Sequence, residues 1–234
     1  MSGADPPRRQ RVRRGRVQVG RTYDRLAPVY DVLAGASERR GRRLGRRLVD
    51  VAPGERLLEI GCGTGMDLAY LAEQVGPNGW CLGVDLSTGM LRRTSRRLGR
   101  RGLADRTALT QADAVRLPLA PRCVDVVYLS FTLELFDTDE LTAVLDGCRR
   151  VLRPTGRLGV VSLALPEEPP VMTRLYLRAR KRAPSLLDCR PIPTEDLVRA
   201  AGFSVLRGRR TAVWGLPVDV VVAAPQRRAV APPV

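Results

Sequence analysis

The feature that most constrains this chain is the stretch Arg56-Leu57-Leu58-Glu59-Ile60-Gly61-Cys62-Gly63-Thr64-Gly65-Met66-Asp67. An apolar run of strand length, Leu57, Leu58 and Ile60, stops at three alternating glycines, and helical spacing begins at once with Met66, Leu68, Leu71 and Val75. This is a strand, a tight turn and a helix, the unit that sets a ligand against backbone N–H groups at a helix N-terminus. Glycine serves the turn twice over: it adopts backbone angles that other residues avoid, and its missing Cβ lets a nucleotide lie on the main chain. About one βαβ unit downstream a second apolar run, Trp80-Cys81-Leu82-Gly83-Val84, ends in Asp85. An acidic side chain at such a strand tip accepts the hydroxyls of a ribose. The dinucleotide fingerprint G-x-G-x-x-G would put its third glycine at Met66; here the spacing is G-x-G-x-G, with Glu59 two residues ahead of it. That disfavours NAD, and there is no G-x-x-x-x-G-K-[ST] loop for a nucleoside triphosphate.

Further along, Ser87 stands where it would cap a helix over 88–99, whose Met90 and Leu91 point back toward the second strand. Ala108–Gln111 reads as a short strand ending at Asp113. Val124 to Leu129 is apolar except for Asp125, the pattern of a central parallel strand buried on both faces. Its tip, Ser130-Phe131-Thr132-Leu133-Glu134, then opens at the carboxyl edge of the sheet, where open α/β sheets bind ligands. A helix over Asp139–Leu152 and a strand over Arg157–Leu165 follow, then a last helix from Thr194 to Ala201 and two strands near 203–209 and 217–223. Glu38 to Val51 reads as a basic amphipathic helix covering one edge of the sheet, with Leu44, Leu48, Val49 and Val51 inward.

Taken in order, these motifs resemble the class I S-adenosylmethionine-dependent methyltransferases, and within them the ubiquinone/menaquinone-biosynthesis C-methyltransferase branch. The residues that carry the resemblance are Leu58-Glu59-Ile60-Gly61-Cys62-Gly63-Thr64-Gly65; Gly83-Val84-Asp85-Leu86-Ser87 with Met90-Leu91; Asp113-Ala114 with Leu117-Pro118; Asp125-Val126-Val127 leading to Ser130-Phe131; and Arg150 to Leu158. Tyr23-Asp24 through Ala27-Pro28-Val29-Tyr30-Asp31 is similar to the N-terminal segment of the quinone branch. The resemblance covers roughly residues 22–224. It implies an α/β, Rossmann-like, seven-stranded, mostly parallel sheet with helices on both faces and a last antiparallel hairpin.

The cofactor so implied is S-adenosyl-L-methionine. Gly61, Cys62, Gly63 and Gly65 would run along its methionine part, with Glu59 near its charged groups. Asp85 would hold the ribose hydroxyls, Leu86 and Met90 pack near the nucleoside, and Asp113 with Ala114 meet the adenine amino edge. Ser130 would stand at the fourth strand's tip and Tyr23 in the segment that folds over the cofactor. Methyl transfer from a sulfonium is an in-line displacement, and alignment supplies most of the rate. A phenol or quinol carbon becomes nucleophilic only as its hydroxyl loses a proton, so a base is wanted. With no histidine in the chain the candidates are Glu134, Tyr30, Asp24 and Asp31, of which Glu134 is preferred because it follows the fourth strand's tip. Where the quinone branch carries an Arg-Asn pair beyond Ser-Phe-Gly, this chain has Leu133-Glu134-Leu135 beyond Ser130-Phe131-Thr132. The acceptor is therefore read broadly, as a small lipophilic molecule of quinone-like, phenolic or similar kind.

Composition weighs the alternatives. A chain of 234 residues fits one α/β domain with a sizeable core. Its net charge of +16, carried almost wholly by arginine with Lys181 the only lysine, would suit nucleic acid or an anionic membrane. A general arginine bias on a solvated surface accounts for it equally, since arginine is spread along the whole chain. Aromatic residues make up only 4%, few for stacking bases, which disfavours an RNA methyltransferase. A phospholipid N-methyltransferase and a non-catalytic S-adenosylmethionine-binding protein are the other readings, because one fold serves many chemistries. The five cysteines include no C-x-x-C pair and no metal site is expected, so buried thiols in a reducing compartment are the expectation. No apolar run reaches the ~18 residues of a membrane span, so a cytoplasmic protein, with peripheral membrane contact as the exception, is expected. The expected organisation is a disordered basic arm over 1–21, a methyltransferase domain over 22–224 and a loose tail over 225–234. Within the domain a Pro-punctuated insertion at 166–191, holding one helical stretch apolar on one side and basic on the other, is expected over the active site. The oligomeric state is left open.

Overall fold

The computed structural model describes residues 38–182 and 189–226. The expectations for the basic arm, for Tyr23, Asp24, Tyr30 and Asp31, and for residues 227–234 lie outside the described residues.

Seven strands form one sheet: β1 (Arg56–Ile60), β2 (Trp80–Asp85), β3 (Thr107–Gln111), β4 (Val124–Ser130), β5 (Leu152–Leu163), β6 (Phe203–Val213) and β7 (Leu216–Pro225). Their order is β3-β2-β1-β4-β5-β7-β6. The first five run parallel, while β7 is antiparallel to β5 and β6 to β7. The order turns back between β1 and β4, which pair directly, Glu59 opposite Tyr128. That is the topological switch point at which open α/β sheets bind ligands. Pro225, expected in the tail, is instead the last residue of β7, and Gln226 donates its N–H to the Gly202 carbonyl.

Among the described residues six helices flank the sheet: α1 (Arg39–Val49), α2 (Met66–Val75), α3 (Thr88–Arg100), α4 (Thr138–Val151), α5 (Val171–Arg182) and α6 (Thr194–Ala200). Period-2 alternation along β1 splits the core in two. Leu57 packs with Val49, Leu68, Leu71, Val75 and Tyr128 beneath α1 and α2, whereas Leu58 and Ile60 pack with Leu141, Leu145, Cys148 and Val198 beneath α4 and α6. Each such leucine, removed from water, contributes about 1.5–3 kcal/mol, so both layers are needed to hold the sheet. Both termini of α4 are legible: Asp137 and Glu140 form a capping box, and Arg149 and Arg150 stand in its last turn.

Helix α1 departs from expectation in one respect. Leu44, Leu48 and Val51 are only partly buried, while Gly41, Gly45 and Val49 face the sheet. A Cβ at Gly45 would lie 2.4 Å from both the Tyr128 hydroxyl and Val161 Cγ2, so the helix lies down on the face of β4 and β5 rather than along an edge. Among the described residues no helix is long and apolar enough to cross a membrane.

Candidate active site

The carboxyl tips of β1, β2 and β4 converge, and the glycine turn is laced to β2 by its own backbone. Gly61 and Cys62 both donate N–H to the Val84 carbonyl, at 2.7 and 3.1 Å, and Gly65 donates to the Cys62 carbonyl at 2.8 Å. The Gly63 N–H reaches Asp85 Oδ2 at 2.9 Å, and the other oxygen of that carboxylate accepts the Ser87 N–H at 2.9 Å. Asp85 is thereby held at the tip of β2 facing the turn, and an ionised carboxylate has about four acceptor positions to offer. Ser87 caps α3 by accepting the Met90 N–H at 3.0 Å.

The three glycines are not equivalent. A Cβ at Gly61 would come within 2.4 Å of Thr132, and one at Gly65 within 2.5 Å of Thr94, so these two positions are closed by protein. At Gly63, with φ at +54°, a Cβ would meet nothing within 4 Å among the described residues. The turn is therefore open on one side only, the side on which a ligand can lie on the main chain. Thr94, fully buried one helical turn beyond Met90, supports the turn from below by donating to the Gly63 carbonyl at 2.6 Å.

Around this turn lies a buried polar group that sequence reasoning had only in part. Arg42 on α1 pairs with Glu38 at 2.7 Å and Asp67 at 2.6 Å, Arg46 reaches Asp67 at 3.3 Å, and Arg42 stacks 5.6 Å from the centre of the Phe131 ring. Asp67 stands in the first turn of α2, where the helix dipole favours negative charge. Glu59 is buried, and its Oε2 has no hydrogen-bond partner among the described residues. Burial pushes its carboxyl well above the ordinary range, and the nearby charge of Asp67 pushes the same way. The hydroxyls of Tyr128 and Ser130 lie close together yet neither makes a hydrogen bond of normal geometry. Buried polar atoms are ordinarily satisfied, so these orphaned oxygens set this side of β1 and β4 apart from the rest of the core.

Glu134 follows the β4 tip in a short 3-10 turn, Leu133–Leu135. It is buried, its Oε1 accepts the Leu163 N–H at 3.1 Å and its Oε2 has no partner among the described residues. Burial raises its carboxyl to about 8. The insertion leaves the sheet next to that contact, after Leu163, and returns across it. Arg190 donates its backbone N–H to the Glu134 carbonyl and its guanidinium to Thr138 and Phe136, and Ile192 bridges to Ala164.

The structure thus brings Glu59, Gly61, Cys62, Gly63, Gly65, Asp85, Leu86, Met90 and Ser130 to neighbouring tips of β1, β2 and β4 or the elements that follow them. Leu86 is half-buried and its carbonyl accepts from Gln111. The Met90 side chain is buried, and so is the Cys62 thiol, which burial pushes well up and which faces the core below Gly83. Cys62 offers the cleft its backbone. Asp113 and Ala114 sit beyond β3; Asp113 caps a short 3-10 turn by accepting the Val115 N–H at 3.0 Å, and Ala114 is buried in the core. Thr94, Arg42, Tyr128 and Thr132 were missed. Only Thr94 left a signal, as the residue four beyond Met90 on the same helical face. Among the described residues no group of His, Cys, Asp and Glu is arranged to hold a metal. A recess of 300 Å³ lies away from these tips, lined by Val115, Leu117, Gly147 and Arg150.

A family model described as a methyltransferase domain matches residues 57–156, which run from β1 through the start of β5. The chain is 32% identical over 207 residues to the nocamycin O-methyltransferase of Saccharothrix syringae, covering 79% of this chain and 72% of that one. It is 34% identical over 165 residues to the ubiquinone/menaquinone biosynthesis C-methyltransferase UbiE of Ectopseudomonas mendocina, covering 68% of this chain and 62% of that one. The fold is that of the solved [4+2]-cyclase SpnF, with a TM-score of 0.72 at 20% identity over 90% of this chain and 97% of that chain. With the ordered motifs, the seven-stranded sheet and a relative of this identity and extent in agreement, the chain belongs to the class I S-adenosylmethionine-dependent methyltransferases.

Proposed function

We propose that this methyltransferase acts on a small lipophilic acceptor, quinone-like, phenolic or similar, seated between the β4 tip and the 166–191 insertion. The observation that carries the reading is Glu134: a buried carboxyl with one oxygen fixed to the Leu163 N–H and the other unpartnered, at the point where the insertion leaves and rejoins the sheet. An acceptor hydroxyl beside Oε2 would lose its proton to that carboxylate, raising the nucleophilicity of the oxygen or of a conjugated carbon. Two relatives, an O-methyltransferase and a C-methyltransferase, support both outcomes.

Bound S-adenosylmethionine supplies an electrophilic methyl group on a sulfonium. In our reading Gly61, Cys62, Gly63 and Gly65 line its methionine part, with Gly63 giving the close approach. Glu59 stands near its charged groups, beside the cluster of Asp67, Arg42 and Arg46. Asp85 takes the ribose hydroxyls, Leu86 and Met90 border the nucleoside, and Asp113 with Ala114 meets the adenine edge. Ser130 offers its free hydroxyl at the β4 tip. Tyr23 is assigned to cofactor binding and Tyr30 to a candidate catalytic role by the family resemblance alone. The protein would work in the cytoplasm.

Calorimetric titration with S-adenosylmethionine tests the donor site. Asp85→Ala removes a charged acceptor of hydrogen bonds worth about 1.5–3 kcal/mol each, so affinity should fall at least roughly tenfold for one ribose bond lost and about a hundredfold or more for two. A screen of phenolic and quinol acceptors with labelled methyl donor then tests the acceptor. Turnover with RNA and none with any phenolic or quinol compound would overturn the acceptor reading.

A further inference from the structure

Helix α5 presents an outward face that the catalytic reading does not use. Apolar and basic residues, expected on opposite sides, share this face. Val171, Leu175, Arg178 and Arg182 follow i, i+4, i+7, i+11 spacing and therefore line up along it, with Met172 and Arg174 on its two flanks. Val171 is 64% exposed, Met172 48% and Leu175 51%, and the three arginines are exposed as well. The inward side is held by Thr173, fully buried, and by Tyr176, whose hydroxyl donates to the Cys189 carbonyl at 2.7 Å. The helix is therefore fixed with its apolar residues outward.

The β6–β7 hairpin extends the same surface. Its two-residue turn is Trp214-Gly215, with φ of 49° and 76°, a geometry usually filled by Asn-Gly. A left-handed backbone costs a non-glycine residue about 1–2 kcal/mol, yet the residue placed there is tryptophan, and it is 75% exposed. Packing does not account for it. A Cβ at Gly215 would lie 3.5 Å from Met172 Cγ, so the turn abuts α5 at Met172 and puts Trp214 next in the chain to that contact. Single exposed apolar residues are normal, whereas a cluster of this size bordered by charge marks an interaction surface.

We propose that the outward face of α5 and the Trp214 turn form a docking surface for an anionic lipid bilayer. Three observations select this occupant. The exposed cations of the face, Arg174, Arg178 and Arg182, all carry the sign that anionic headgroups attract, within a chain of net charge +16. The apolar residues and those cations face the same way, so one headgroup layer can meet both, the apolar side chains at its acyl boundary and the guanidinium groups at its phosphates. A tryptophan at the rim matches the aromatic preference of that layer. Glu167 and Glu168 are exposed just before α5 and oppose the attraction, so binding should depend on all three arginines. The face is set by the packing of α5 and is independent of the acceptor's identity.

The test uses the full chain carrying Trp80→Phe, which leaves Trp214 as the only tryptophan. Vesicles of phosphatidylglycerol with phosphatidylcholine should shift its emission to the blue. They should bind more than about tenfold tighter than vesicles of phosphatidylcholine alone, with the difference lost at high salt. Met172→Ser with Leu175→Ser should weaken sedimentation with the anionic vesicles by roughly tenfold or more while leaving the far-UV circular dichroism unchanged. Vesicle binding with unchanged Trp214 emission would assign the lipid contact to another part of the chain and overturn the proposal. A blue shift that grows with protein concentration in the absence of vesicles would also overturn it, in favour of a second copy on this face. Absence of vesicle binding overturns it outright.

Discussion

Two residues at the site are governed by opposite constraints, Gly63 by what is missing and Glu134 by what surrounds it. Gly63→Ala adds a Cβ that touches no protein atom, so its structural cost is the left-handed backbone alone, about 1–2 kcal/mol. The same Cβ would stand where the donor is proposed to approach the main chain. S-adenosylmethionine affinity should fall at least about tenfold beyond what the stability loss explains, as calorimetry beside thermal unfolding would reveal. Glu134 is raised by burial from an ordinary 4.5 to about 8. Between those values the folded protein keeps a proton that the unfolded chain has released, so stability falls as pH climbs through that window and levels off above it. Glu134→Gln should flatten this dependence in denaturant titrations across the window. With Glu134 as the base, the rate should rise with pH and level off above about 8 in the wild type, and Glu134→Gln should abolish the rise. A rate profile untouched by Glu134→Gln would leave this carboxyl a purely structural group.

At the scale of elements, the glycines of the helices separate into those that permit packing and those that only soften the chain. Gly45 lets α1 lie on β4 and β5, and Gly45→Ala would drive a methyl group to 2.4 Å from Tyr128 and Val161. Overpacking of this kind costs about 1–3 kcal/mol, and because α1 also carries Arg42 and Arg46 the donor site should weaken with it. Gly99, exposed near the end of α3 with open space at its Cβ, should behave in the opposite way. Gly99→Ala is expected to stabilise by about 0.5–1 kcal/mol, read from the denaturation midpoint. Helix ends were legible from sequence wherever a local rule set them: Ser87 caps α3, and Pro53-Gly54 follows α1. The inward face of α1 was not, because its leucines suggested a greasy stripe, whereas the approach of Tyr128, more than eighty positions away in the chain, demanded glycine.

For the molecule as a whole, a net charge of +16 means self-repulsion in the compact state. Raising ionic strength from about 0.01 to about 0.1 M shortens the screening length from about 30 to about 10 Å, so the Tm should rise by roughly a few degrees. A Tm that fell instead would point to ion pairs such as Arg157 with Glu55 outweighing the repulsion. Read alone, the sequence determined the alternation of strands and helices, the glycine turn, the acidic tip of β2 and the family, because these rest on short-range periodicity and on turn chemistry that few residues satisfy. Tertiary structure alone decided that Glu134 is buried against the Leu163 N–H, that Arg42 and Asp67 meet beside the turn, and that the apolar residues of α5 face outward. Hydropathy states which side chains gain by leaving water. It does not state which distant partner they meet, and each of these arrangements depends on contacts between elements far apart in the chain.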